Sequence, residues 1–238
     1  MKREQLVEVK KGQTGTGLLI ESDGYMSLDM KENKILKETI DDFNSGVAND
    51  LPRPFVVSAV FQKYGIENAN GRIYPENVLR REVEKFQDKI QQRMALCELE
   101  HPSDSNINLE RICAVVTEVH WVGRTLVGKI EIPLSEGFRR YGICSTLADR
   151  VGQWLVSGLR VGVSSRALGS VTQELGKLVV GSDLELITFD LVSTPSTSNA
   201  WIEFEESKLQ PYLQENEQEK TNVLVEDKFS KFDSWLND

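Results

Sequence analysis

The dominant pattern along the chain is a series of apolar runs between about residue 55 and residue 192 whose period switches between that of strands and that of helices. Phe55-Val56-Val57-Ser58-Ala59-Val60-Phe61 is β-branched and aromatic and predicts the first strong core strand. Asn68-Ala69-Asn70-Gly71 marks a turn, and Pro75 suits the first position of the helix that follows. In that helix Leu79, Val83, Phe86 and Ile90 recur at intervals of four, three and four, which gives one packed face. Leu96 to His101 alternates apolar and acidic residues, and Pro102 biases His101 toward an extended backbone. Arg111 to His120 and Thr125 to Ile132 predict a hairpin that turns at Gly123-Arg124. Leu147, Val151, Trp154 and Leu155 form a helical stripe within Ile143 to Ser157, with Gly158 as its stop. Gly158 to Ser170 then alternates like a strand, Val171 to Val180 turns at Leu175-Gly176, and Leu184 to Val192 predicts a last core strand.

Outside this region the pattern weakens. Residues 1–50 mix charge with glycine, and only Leu18-Leu19-Ile20 resembles a buried strand, so they read as a loosely specified N-terminal segment ahead of a compact domain over 51–212. Residues 213–238 carry seven acidic residues against three lysines and read as an acidic, flexible tail. Within it Val225, Phe229, Phe232 and Leu236 predict an amphipathic helix that could pack on its own domain or offer a face to a partner.

Composition narrows the classes of function. A chain of 238 residues with 39% hydrophobic content can bury a sizeable core. A formal charge of -9 argues against a direct nucleic-acid ligand, because phosphate binding draws on clustered cations. Cys97, Cys113 and Cys144 are odd in number and lack metal or redox spacing, which fits a reducing compartment. No apolar run approaches the roughly 18 residues of a membrane span, so no membrane role is expected. The two histidines, His101 and His120, have no companion set of ligands, so neither a metal nor another cofactor is expected.

Candidate chemistry lies at strand ends. In Gly162-Val163-Ser164-Ser165-Arg166 a glycine and small hydroxyls let the backbone approach another molecule closely, and Arg166 supplies a fixed positive charge. His101 is the side chain best able to take and return a proton near neutral pH, whereas His120, beside Trp121 in the hairpin, reads as a strand residue. Asp190, between Phe189 and Leu191, either faces solvent or has a specific partner, because a buried carboxylate needs donors. A serine needs a base to take its proton and a third group to orient that base, and Ser164, His101 and Asp190 are the types required. Their order departs from the common hydrolases, and Arg166 stands where a Gly-x-Ser-x-Gly elbow has its last glycine.

Four blocks go further than residue type. Asn70-Gly71-Arg72-Ile73-Tyr74-Pro75, Cys97-Glu98-Leu99-Glu100-His101-Pro102, Gly162 to Ser170, and Phe189-Asp190-Leu191-Val192-Ser193-Thr194-Pro195-Ser196 with Ala200-Trp201 resemble, in order, the prohead core proteases of myovirus-type tailed phages. The resemblance covers about residues 55–201 and, more faintly, Leu18 to Glu21, and leaves out the tail; Cys97 and Ala167 stand where that family commonly has glycine. It implies an α+β fold related to herpesvirus assemblin, a mostly antiparallel β-barrel flanked by helices. It implies a serine endopeptidase that cleaves scaffold or core and capsid proteins inside the assembling procapsid, in the host cytoplasm, as a homo-oligomer that also cuts itself. Carried over by position, Ser164 is the nucleophile, His101 the base and Asp190 the third member, with Arg166 or the backbone N–H groups near Ser165 and Arg166 supporting the oxyanion. The family's preference for Leu-x-Glu or Ile-x-Glu draws attention to Leu6-Val7-Glu8, Leu213-Gln214-Glu215 and Leu224-Val225-Glu226. A non-enzymatic head-assembly component of the same fold and a small-ester hydrolase are the competing expectations.

Overall fold

The computed structural model describes residues 7–26, 31–102 and 105–193, all within the compact unit that ends at Phe204. The region from Thr194 on, including the expected tail helix, lies outside the described residues. Nine strands and four α-helices are described: β1 (Gly15–Met26), α1 (Lys31–Asn44), β2 (Phe55–Lys63), β3 (Arg72–Ile73), α2 (Glu76–Gln91), β4 (Leu96–Glu98), β5 (Ile112–Val122), β6 (Thr125–Ile132), α3 (Glu136–Tyr141), α4 (Leu147–Val156), β7 (Gly162–Glu174), β8 (Lys177–Val180) and β9 (Glu185–Val192). The architecture is mixed α+β, a curled sheet with helices against it.

The sheet runs β3-β8-β7-β1-β2-β6-β5-β4, with β9 added onto β7, and every strand ladder except the short β3–β8 pair is antiparallel. Its curl brings the chain just past β4 to β9, where Leu99 and Leu191 form a single parallel bridge. Phe189 of β9 packs edge-on against Phe61 of β2, with centroids 4.8 Å apart, and against Phe86 of α2 at 5.3 Å. Edge-to-face pairs of this kind add about 0.5–1.5 kcal/mol beyond their buried area. The α2 stripe buries Leu79, Val83 and Phe86 as its spacing predicts and leaves Ile90 partly buried, with Val78 buried as well, although Pro75 precedes the helix as its N-cap and is not its first residue.

Three elements differ from the pattern reading. The strand glimpsed at Leu18-Leu19-Ile20 extends over Gly15–Met26 and lies between β7 and β2. The charged stretch Lys31–Asn44 is a helix that buries Asn33, Leu36 and Ile40, with the Asn33 amide donating to Ser58 O (3.0 Å) and its carbonyl accepting from Ser58 N (2.7 Å). The helix expected from Ile143 begins later, where the Thr146 side chain accepts from Asp149 N and the Asp149 carboxylate accepts from Thr146 N. Burial works against the Asp149 charge, but hydrogen bonds from Ser135 and Ser145 outweigh it and bring the pKa down to about 2.

Candidate active site

Register brings two of the candidate residues side by side. Ser164 and Asp190 are directly paired across β7 and β9, so their side chains leave the sheet on one face. Arg166, two residues on, shares that face, while Ser165 pairs with Phe189 and falls by alternation on the apolar side. His101 arrives from the opposite direction. Past the Leu99–Leu191 bridge, Glu100 adopts φ 61° and donates its N–H to Leu191 O at 2.8 Å, and its carboxylate accepts from Ser193 N at 2.9 Å. A non-glycine residue in this left-handed region costs on the order of 1–3 kcal/mol and persists only where its surroundings fix it. Here Arg111 adds to that fixing, with Nη2 donating to Leu99 O (2.7 Å) and Glu100 O (3.2 Å).

The result is a continuous hydrogen-bonded chain. His101 Nε2 is bonded to Ser164 Oγ, and His101 Nδ1 lies 2.8 Å from Asp190 Oδ2. Of the two options for Asp190, the structure shows the partnered one: the side chain is fully buried, and Oδ2 also accepts from Arg166 Nε at 2.8 Å. Oδ1 accepts from Glu98 N at 3.2 Å and from Arg166 Nη2 at 3.3 Å. The buried Arg166 guanidinium is thus turned toward carboxylates, since Nη2 also bonds the buried Glu98 carboxylate. Ser164 is itself buried, whereas the His101 side chain keeps 13% exposure.

On its other side Ser164 Oγ lies 2.9 Å from the carbonyl oxygen of Glu21, to which it can donate. A hydroxyl has one proton, so it serves either Glu21 O or His101 Nε2 at a given moment. Attack by Oγ requires the orientation toward the imidazole. Glu21 is locked in place. Its Oε1 accepts from Arg72 Nη1 (2.5 Å) and Tyr74 OH (2.9 Å), and its Oε2 from Asn68 Nδ2 (2.7 Å) and Asn70 Nδ2 (2.6 Å). The Asn70 to Pro75 block therefore acts on Ser164 at one remove, by fixing the β1 carbonyl beside it.

Other candidates stand apart from this arrangement. His120 is exposed on β5 with Nδ1 3.3 Å from a Glu118 oxygen. Cys97 and Cys113 are buried, and burial pushes the Cys113 thiol up to about 12 and the Cys97 thiol well up too, so neither is a thiolate nucleophile near neutrality. Among the described residues no group of three or more His, Cys, Asp or Glu is arranged to hold a metal ion.

The profile of a family described as prohead core protein serine protease matches residues 18–209, a span from β1 to beyond β9. The chain belongs to this family. A relative, the prohead core protein protease of Enterobacteria phage T4, is 28% identical over 149 residues; the alignment takes in 61% of this chain and 66% of that protein, slightly under two thirds of its length. Among solved structures, the bacteriophage T4 capsid assembly protease, gp21, superposes with a TM-score of 0.58 at 21% identity, covering 75% of this chain and 98% of that one. The prohead protease fold thus extends to this chain. Within it, residue reading missed Glu21 and Glu98. The alternation of Cys97 and Leu99 with Glu98 and Glu100 reads as one apolar and one acidic face and gives no sign that Glu98 is buried.

Proposed function

We propose that this chain is a serine endopeptidase that cleaves scaffold or core and capsid proteins inside the maturing prohead of a phage, in the host cytoplasm. Ser164 Oγ attacks the scissile carbonyl, His101 takes the hydroxyl proton at Nε2 and later gives it to the leaving amine, and Asp190 holds Nδ1 and stabilises the imidazolium. The observation that carries this reading is His101 bonded at one ring nitrogen to Ser164 and at the other to Asp190. Arg166 supports the site through Asp190, whereas the Ser165 and Arg166 backbone lies inside β7 between β1 and β9, where the ladders rather than an oxyanion engage it. Membership in the prohead protease family supports the substrate class. The sheet whose two ends meet at Leu99 and Leu191 supports reading the fold as a barrel of the assemblin kind.

The test is co-expression with a scaffold protein from the same phage, followed by mass measurement. Wild-type chain shortens the scaffold and trims its own tail near Leu213-Gln214-Glu215 or Leu224-Val225-Glu226, and Ser164→Ala leaves both at full mass. Processing that persists in Ser164→Ala removes Ser164 as nucleophile. A wild-type chain that assembles with scaffold without cutting it favours a structural role.

A further inference from the structure

We propose that Glu98 is a positioning residue for the proteolytic reaction, and that it acts by taking up the charge of Arg166 so that Asp190 keeps its own charge for His101. The inference rests on the Ser164–His101–Asp190 reading above and deepens it. Arg166 is fully buried and permanently charged, and it donates to both oxygens of Asp190. A guanidinium and a carboxylate in that arrangement sum to zero. Such a pair would do little to stabilise the imidazolium that forms when His101 takes the serine proton.

The second buried carboxylate changes that sum. Glu98 bonds Arg166 Nη2, so the fully buried trio of Arg166, Asp190 and Glu98 carries one net negative charge. The imidazolium formed at His101 Nδ1, 2.8 Å from Asp190, balances it. Arg111 is the other cation near Glu98, but its buried Nε lies 3.7 Å from Oε1, beyond hydrogen-bond reach, its Nη2 donates instead to Leu99 O and Glu100 O, and the side chain as a whole is 38% exposed. Glu98 is also tied to the geometry of the site. Its own N–H donates to Asp190 Oδ1 at 3.2 Å, and its Oε1 accepts from Asn108 N at 3.1 Å. The same residue therefore holds Asp190 in place through its backbone N–H and offsets the Arg166 charge through its carboxylate.

The experiment uses the full chain and a peptide spanning one cleavage site of the scaffold. Glu98→Gln keeps size and removes the charge, and kcat is expected to fall about 10- to 100-fold, the scale of one elementary charge several ångströms from the imidazolium, with KM within twofold. The low-field proton resonance of the His101 Nδ1–H moves upfield in the same variant. Adding Arg166→Gln returns the trio to one negative charge, so the double variant exceeds Glu98→Gln in kcat. An unchanged kcat in Glu98→Gln, a loss confined to KM, or a double variant no better than Glu98→Gln overturns the proposal. If Glu98→Gln yields no folded protein, the double variant decides: kcat within about tenfold of wild type supports the proposal, and a larger loss overturns it. Cleavage by Ser164→Ala would sink the underlying assignment of the nucleophile, independently of these results.

Discussion

Two fully buried carboxylates flank Ser164, Glu21 through its backbone carbonyl on one side and Asp190 through His101 on the other, and each is held by a buried arginine. Their difference begins with one donor. Around Glu21 the partners are a guanidinium, a phenol and two amides, none of which exchanges a proton near neutrality. Around Asp190 one of the partners is an imidazole, which does. Burial and pairing with an arginine are therefore shared by a structural cluster and a chemical one, and the titratable donor, together with the second carboxylate of Glu98, separates them.

Substitutions that strike one cluster should leave the property served by the other nearly intact. The largest effect is expected from Asp190→Asn, which removes the charge and favours the wrong imidazole tautomer; kcat on a scaffold peptide should fall on the order of 10⁴-fold, with a native circular dichroism spectrum. Glu21→Gln should do the reverse. It leaves the buried Arg72 charge without its carboxylate, so denaturant unfolding should register a loss of about 3–5 kcal/mol, the usual result of breaking one side of a buried pair. Should Glu21→Gln lower kcat in a protein of full stability, the division between the clusters fails. The smallest effect belongs to a carboxylate outside both, Asp149→Asn, which weakens the α4 cap and should cost about 1 kcal/mol. Because the folded Asp149 pKa is depressed from 3.8 to about 2, its contribution is present above pH 3.8 and is lost as pH falls toward 2. Acid unfolding of wild type and Asp149→Asn should therefore converge across that window.

Much of the fold was legible where periodicity was strong. Phe55–Lys63, the β5–β6 hairpin and the α2 stripe follow their patterns because one face or both must be apolar to be buried. β1 was legible only at Leu18-Leu19-Ile20; its full extent escaped because it runs on through Glu21, a charge that is buried by virtue of donors about fifty residues away. α1 escaped because its narrow stripe includes Asn33, whose amide replaces apolar contact with two bonds to β2. The site was legible as residue types and, through the family blocks, as roles. Its supporting charges were not, because nothing local in Cys97-Glu98-Leu99 records that an arginine 68 residues later will lie against Glu98.

The union of Leu99 with Leu191 has a mechanical consequence. Ser164 and Asp190 ride together on one long ladder, but His101 reaches them from the far margin of the same curled surface, across a join of one bridge and a few flanking bonds. Prying that margin open by the width of a side chain would disconnect the base from its proton source while every helix stayed in place. Silencing of this kind requires no occupant in the cleft, only a wedge at the hem of the sheet.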